Sequence, residues 1–305
     1  MKKIALTLIL IITSTVLFAQ EETKEEEGPK DGWTRAGNIS FIFNQSAFNN
    51  DWLGGGTSNI AGNLALSYDF NYRKGSLTWD NKILADYGLT KLKDQEFTRK
   101  TNDRFEFNSL IGKQLNDSNW YYSFFLNLRT QFAPGYVFSE DAAGNEVRTE
   151  TTHIFSPAYL QFGPGMLWKK SDNLKVNIAP ATARFIFVDK DFTAVDPTDQ
   201  AALDAYVPYF GVDANESSRF EFGASINAYA KFEIMKNVSM ENILNLYSNY
   251  LEDPQNVDID YTANVVMTIN KYLSANVTFQ AIYDDNAVGA FQIREVFGIG
   301  VNYGF

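Results

Sequence analysis

The sequence predicts an all-β chain, a single antiparallel transmembrane β-barrel of about twelve strands with short periplasmic turns and longer extracellular loops. Three observations carry this. Apolar and polar residues alternate with a period of two through segment after segment, which gives a strand one apolar and one polar face. Many of these segments run twelve residues or more. A tilted bilayer-crossing strand needs about nine to eleven, and a globular strand about five or six. The connections alternate between tight and long, the pattern of an outer-membrane barrel.

In chain order, Lys2 and Lys3 open a basic start, Ile4 to Phe18 is an apolar run, and Ala19 is small. Residues 1–19 therefore read as a secretory signal peptide, too short to span a bilayer well. Residues 20–33 contain "EETKEEEGPK" and form a flexible acidic leader with almost nothing to bury. The barrel is expected over 34–305. The whole chain carries a net charge of −11; without Lys2 and Lys3, 24 basic residues face 37 acidic ones. Such a balance excludes nucleic acid as a partner, whose binding needs clustered Lys and Arg. The absence of cysteine excludes disulfide frameworks, a lipoprotein anchor and thiolate metal sites. No apolar run approaches the roughly 20 residues of a membrane helix.

The alternation places strands at 34–46, 57–72, 75–88, 99–114, 119–133, 152–168, 173–188, 218–234, 237–251, 256–270, 272–284 and 288–305. In the second, Ile60, Leu64, Leu66, Tyr68, Phe70 and Tyr72 oppose Asn59, Asn63, Ser67, Asp69 and Asn71. The eighth sets Phe220, Phe222, Ile226 and Phe232 against Arg219, Glu221, Asn227 and Lys231. Pro157, Pro164 and Pro180 interrupt the sixth and seventh, where bulges are expected because proline cannot donate to a ladder. Tight turns fall near Gly75, 115–119, 169–173, 235–237 and Lys271, and long loops at 89–98, 134–151 and 189–217. An even strand count puts both ends of the barrel on the short-turn side.

Between the first two strands lies "NNDWLGGGTSN", residues 49–59. A phosphate loop would continue with Lys-Ser/Thr into a helix, whereas here the chain continues as a strand. The glycines allow a tight reversal; Trp52 suits an interfacial aromatic belt, with a ligand contact as the alternative. With Gly54, Gly55 and Gly56, Trp52 forms a Trp-x-x-Gly-Gly hallmark. In this stretch and the strand to Tyr72, the chain resembles a group of exported Gram-negative proteins known as a domain of unknown function. That resemblance implies a barrel-like fold and an envelope location, and no assigned chemistry. The terminal strand, "REVFGIGVNYGF", resembles the assembly signal read by outer-membrane barrel assembly machinery, ending on Phe305.

No catalytic constellation emerges. His153, the one histidine, has Ser156 three residues away on the opposite strand face, and so no serine hydrolase is assembled. The loop 189–217 carries Asp189, Asp191, Asp196, Asp199, Asp204, Asp213 and Glu216 without calcium-loop spacing. It is expected as a solvated acidic surface loop with a short helix in "DPTDQAALDAY". No metal or cofactor is expected. Candidate lumen-facing residues are Lys82, Arg104, Glu106, Arg129, Arg219, Glu221, Lys231, Glu241, Asp260 and Arg294, alongside Asp80, Arg184 and Asp258. Opposite charges on a polar face either pair and fill space or line a selective pore, and a twelve-strand size alone does not choose. The expected partners are outer-membrane lipid, the assembly machinery and a small solute. The expected role is a non-enzymatic outer-membrane barrel, a narrow channel for that solute; the alternative is a scaffold subunit of an outer-membrane complex.

Overall fold

The computed structural model describes residues 31–48, 57–284, 286–287 and 289–305. The signal peptide 1–19, most of the leader, and the motif residues Trp52, Gly54, Gly55 and Gly56 lie outside the described residues. Twelve strands form one closed antiparallel barrel. They are β1 (Gly32–Ser46), β2 (Asn59–Lys74), β3 (Leu77–Leu92), β4 (Arg99–Gln114), β5 (Trp120–Thr130), β8 (Ala158–Ser171), β9 (Leu174–Phe187), β10 (Ser218–Met235), β11 (Val238–Asn249), β12 (Asp258–Thr268), β13 (Leu273–Tyr283) and β14 (Gln292–Gly304). Each pairs with its neighbours in sequence order, and β1 closes on β14. Closure satisfies every strand edge within the sheet, which is what permits a strand to cross hydrocarbon.

The period-two pattern sorts the faces. Ile39, Phe41, Leu64, Phe124, Phe297 and Ile299 stand exposed on the outside, while Asp80, Glu106, Arg184 and Glu221 are buried inside. All described tryptophans, Trp33, Trp79, Trp120 and Trp168, lie on the outer face near the short-turn end. Trp33 packs on Tyr72 and Trp79 at 5.2 and 5.6 Å, and Trp120 sits opposite Trp168. An amphipathic ring at that level is the girdle of a membrane barrel.

Three expectations need correction. The segment 134–151 is not a plain loop: β6 (Gly135–Glu140) and β7 (Glu146–Thr152) form a separate hairpin. Its polar sequence hides the pairing, which aromatic–cation contacts support: Arg148 lies 4.4 Å from the Tyr136 ring and 4.9 Å from that of Phe97. The sixth barrel strand starts at Ala158 rather than residue 152, because Ser156 and His153 bond each other's backbone in a turn before it. Pro157 therefore precedes the strand instead of bulging it. Register does slip around Pro164, between Phe162 and Met166, and opposite Pro180, between Gly223 and Ser225. The third correction, in the loop after β9, concerns the lumen.

The β1–β14 ladder holds five Cα pairs, Asn38–Ile42 against Gly300–Gly304. One more backbone pair extends it: Gly37 N donates to Phe305 O at 2.8 Å and Phe305 N to Gly37 O at 3.0 Å. The Phe305 ring lies over Gly37 and stacks on Tyr68 and Tyr303 at 6.0 and 6.2 Å. A Cβ at position 37 would sit 2.6 Å from Phe305 Cε2, so a larger residue there would push that ring off its seat. Phe305→Ser and Gly37→Val are each expected to deplete the compact, heat-modifiable gel form. Gly62→Ala, whose new Cβ would meet Phe41 at an ordinary 3.6 Å, should leave it intact. Equal levels in all three would show that the seam does not depend on this packing.

Candidate functional site in the barrel lumen

The inward face brings the candidate residues together in tiers. Nearest the short turns, Lys169 and Lys175 donate to Asp80 at 2.7 and 2.9 Å, and Asp172 in the β8–β9 turn pairs with Lys169 and Arg73. Partial burial opposes ionisation of Asp172, but the cation of Lys169, with Arg73 beyond it, holds its carboxyl below the ordinary value. One tier up, Lys82 on β3 reaches Asp69 at 3.3 Å and Glu241 at 3.5 Å. Tyr229 donates to the same Glu241 at 2.8 Å, and Lys231 lines the cavity beside them.

The next tier crosses the lumen. Arg129 on β5 donates to Asp260 on β12 at 2.6 Å, and Arg104 on β4 lies 3.7 Å from the same carboxylate. Arg104 also pairs with Glu106, which accepts from Asn108 and Asn127 at 2.9 and 2.8 Å. In barrel order β4 and β12 are six strands apart, as are β3 and β11. These ion pairs therefore tie opposite walls together. Nearest the long loops, Arg184 pairs with Asp258 and sits 3.5 Å from Glu221 and 3.3 Å from Asp284. Arg219 donates to Glu221 at 2.8 Å. Arg294 faces the lumen from β14. Among the described residues no group of three or more His, Cys, Asp or Glu could hold a metal ion.

Between the tiers lie cavities. One of about 530 Å³ opens at the long-loop end, one of about 450 Å³ lies below it, and one of about 330 Å³ lies towards the short turns. Arg104 and Arg294 line both of the first two; Lys82, Tyr229 and Lys231 line both of the last two. The lumen is not uniformly polar. Leu84, Leu110, Phe125 and Leu167 also face the lowest cavity.

The loop after β9 corrects the sequence reading. Its acidic ends are exposed, and the expected short helix is present at Gln200–Ala205 with Asp199 as its N-cap. Its middle, however, is apolar and packs into the barrel mouth. Tyr209 and Val212 exchange backbone hydrogen bonds at 3.1 and 3.0 Å. Phe210 and Gly211 between them have φ of 51° and 79°, a primed hairpin turn. Val212 is fully buried with Tyr159, Ile186 and Val188, and Tyr209 and Phe210 pack against that cluster. Burial pushes the Tyr209 hydroxyl up to about 12. Arg219 donates to Gly211 O at 2.9 Å, and Phe210 lines the mouth cavity. His153 stands at the loop base, bonded to Glu150 at 2.9 Å and packed against Phe192 with the rings tilted. Ser156 Oγ instead accepts from Asp189 N, so the two do not form a nucleophile pair.

Residues 43–136 match the family model described as Protein of unknown function (DUF3078). The match runs from the end of β1 to the start of β6 and includes the Trp52–Gly56 stretch. No curated protein matches the chain. Among solved structures, an outer membrane channel from Pseudomonas putida F1 aligns at 12% identity, covering 93% of this chain and 99% of that one, with a TM-score of 0.38. The translocator domain of autotransporter NalP from Neisseria meningitidis aligns at 7%, covering 99% and 98%, with 0.40. The outer membrane channel DcaP of Acinetobacter baumannii aligns at 12%, covering 90% and 96%, with 0.31. The likeness stops at the barrel and carries no function across.

Sequence reasoning missed Lys169, Lys175, Asp284 and the Phe210 turn. Lys169 falls in the expected tight turn at 169–173, and Lys175 has the opposite parity to Arg184 within the seventh strand until the register slip opposite Pro180 brings both inward. "VPYFGV" within an acidic loop was the available signal for the turn, since so apolar a run in a long loop needs somewhere to pack.

Proposed function

We propose that this chain is a narrow outer-membrane channel that passes a small solute and performs no catalysis. The observation that supports it is the succession of three lumen cavities whose partitions are side chains rather than backbone. Side-chain partitions can part for a solute while the barrel stays closed. In this reading residues 1–19 direct export, the assembly machinery inserts the barrel by its terminal strand, and lipid surrounds the apolar face. The long loops then face the exterior and the short turns the periplasm.

Purified protein in planar bilayers is expected to give small, discrete currents. Arg129→Ala should enlarge them and shift selectivity towards cations. It removes one fixed positive charge and cuts a tie to the opposite wall. Large porin-like currents from the unaltered protein would refute the narrow path. Silence from both proteins would refute transport and leave the scaffold role.

A further inference from the structure

The mouth cavity has a charge balance opposite to that of the protein. The chain carries a net charge of −11. Yet the cavity is lined by Lys100, Arg104, Arg129 and Arg294 against Asp103 and Asp284. Lys100 and Asp103 pair with each other at 2.7 Å, and Asp284 faces Arg184. The three arginines then define the floor.

They are not equally satisfied. Arg104 is held by Glu106 and Asp260, and Arg129 by Asp260. Arg294 comes from β14, four strands from β4 and five from β5 around the barrel, and has no such clamp. Its Nε and Nη1 are shielded from solvent and have no hydrogen-bond partner among the described residues. The Nε of Arg104 is in the same condition. Asp86 and Asp260 act on Arg294 through their charges, and Arg104 repels it. Unpaired guanidinium donors away from bulk water are costly, and an oxyanion that accepts two parallel hydrogen bonds, as a carboxylate or a phosphate does, is what a guanidinium binds best. The cavity volume of about 530 Å³ suits a small organic solute.

We propose that the cavity floor binds a small oxyanion, the chemistry shared by a carboxylate and a phosphate, between Arg294 and the Arg104–Arg129 pair. This deepens the channel reading by naming the class of solute, and the site lies where the first two cavities meet. An anion there joins guanidiniums from well-separated strands and offsets their repulsion. Carboxylates already on Arg104 and Arg129 keep the site from holding more than one such group tightly, as a passage site requires.

The test is isothermal titration of the full-length, detergent-solubilised protein with succinate and, separately, with inorganic phosphate. Saturable, salt-sensitive binding of either is expected, and the tighter of the two identifies the source. Arg294→Gln should weaken it by about tenfold or more, the loss of charge-assisted hydrogen bonds. Gln292→Glu, at an exposed position lining the same cavity, should also weaken it, and guards against misfolding of the first variant. Arg148→Gln, which removes a cation from the outer hairpin instead, should bind like the unaltered protein. No saturable binding of either probe, or binding indifferent to both Arg294→Gln and Gln292→Glu, would overturn the proposal. Because binding is read without a membrane, it stands or falls separately from the conductance result.

Discussion

Arg184→Ala is expected to lower the stability of the folded barrel steeply. Arg184 is only 3% exposed, and it sits among Glu221, Asp258 and Asp284. The rings of Tyr159 and Tyr247 approach its guanidinium at 5.1 and 4.8 Å, which displaces water that could otherwise screen the charges. Without it, Asp258 and Asp284 lose their shared cation, and Glu221, 1% exposed, keeps only Arg219. Removing one partner of a buried pair costs about 3–5 kcal/mol, and three carboxylates depend on this one. Typical folding free energies are about 5–15 kcal/mol, so the loss is a large share of the total. The measurement is the temperature at which the compact gel band disappears, expected to fall steeply. Adding Asp258→Asn and Asp284→Asn to Arg184→Met should recover much of it, since neutral groups of similar shape need no cation. An unchanged transition in Arg184→Ala would show that water reaches this cluster and screens it.

The strands were legible because a membrane barrel writes its fold in the sequence twice, once as alternation and once as loop length. Arg104, Glu106, Arg129 and Asp260 could be placed on the polar face from parity alone. Which of them meet could not. Arg129 and Asp260 are 131 residues apart, and their contact depends on how the barrel closes, which a period of two does not encode. The inward leucines were illegible for a related reason. Leu84, Leu110 and Leu167 interrupt the polar face, and nothing in a single strand distinguishes a lumen-facing leucine from an irregular alternation. Gly37 carries no signal until Phe305 is brought over it by closure. The mouth turn failed differently. The acidic residues around it dominate the composition of residues 189–217, and counting charge across the loop masked the one apolar run that packs inward.

That turn bears the second large expectation. Replacing Tyr209–Val212 with a Gly-Ser-Gly-Ser linker should increase single-channel conductance several-fold and leave the compact gel form in place. The turn narrows the mouth by packing rather than by strand pairing: Val212 is fully buried against Tyr159 and Ile186, and Phe210 lines the mouth cavity. Neither residue belongs to a barrel strand, so the ladders survive its removal. Phe210 holds a left-handed backbone at φ 51°, a conformation that costs a bulky residue of order 1–3 kcal/mol and persists only because its surroundings impose it. A segment held against its own preference is poised to leave when a contact is lost. Arg219 supplies one such contact, donating to Gly211 O, so Arg219→Gln should give an intermediate effect, with more frequent openings and unaltered size. If the linker variant conducts no better than the unaltered protein, the restriction lies deeper, at the cross-lumen pairs of Lys82 with Glu241 and of Arg129 with Asp260. Combining the linker with Arg129→Ala separates the two. Barriers in series give a current set by the narrower one, so each change alone should be partly masked, and the pair should conduct more than the two separate gains predict.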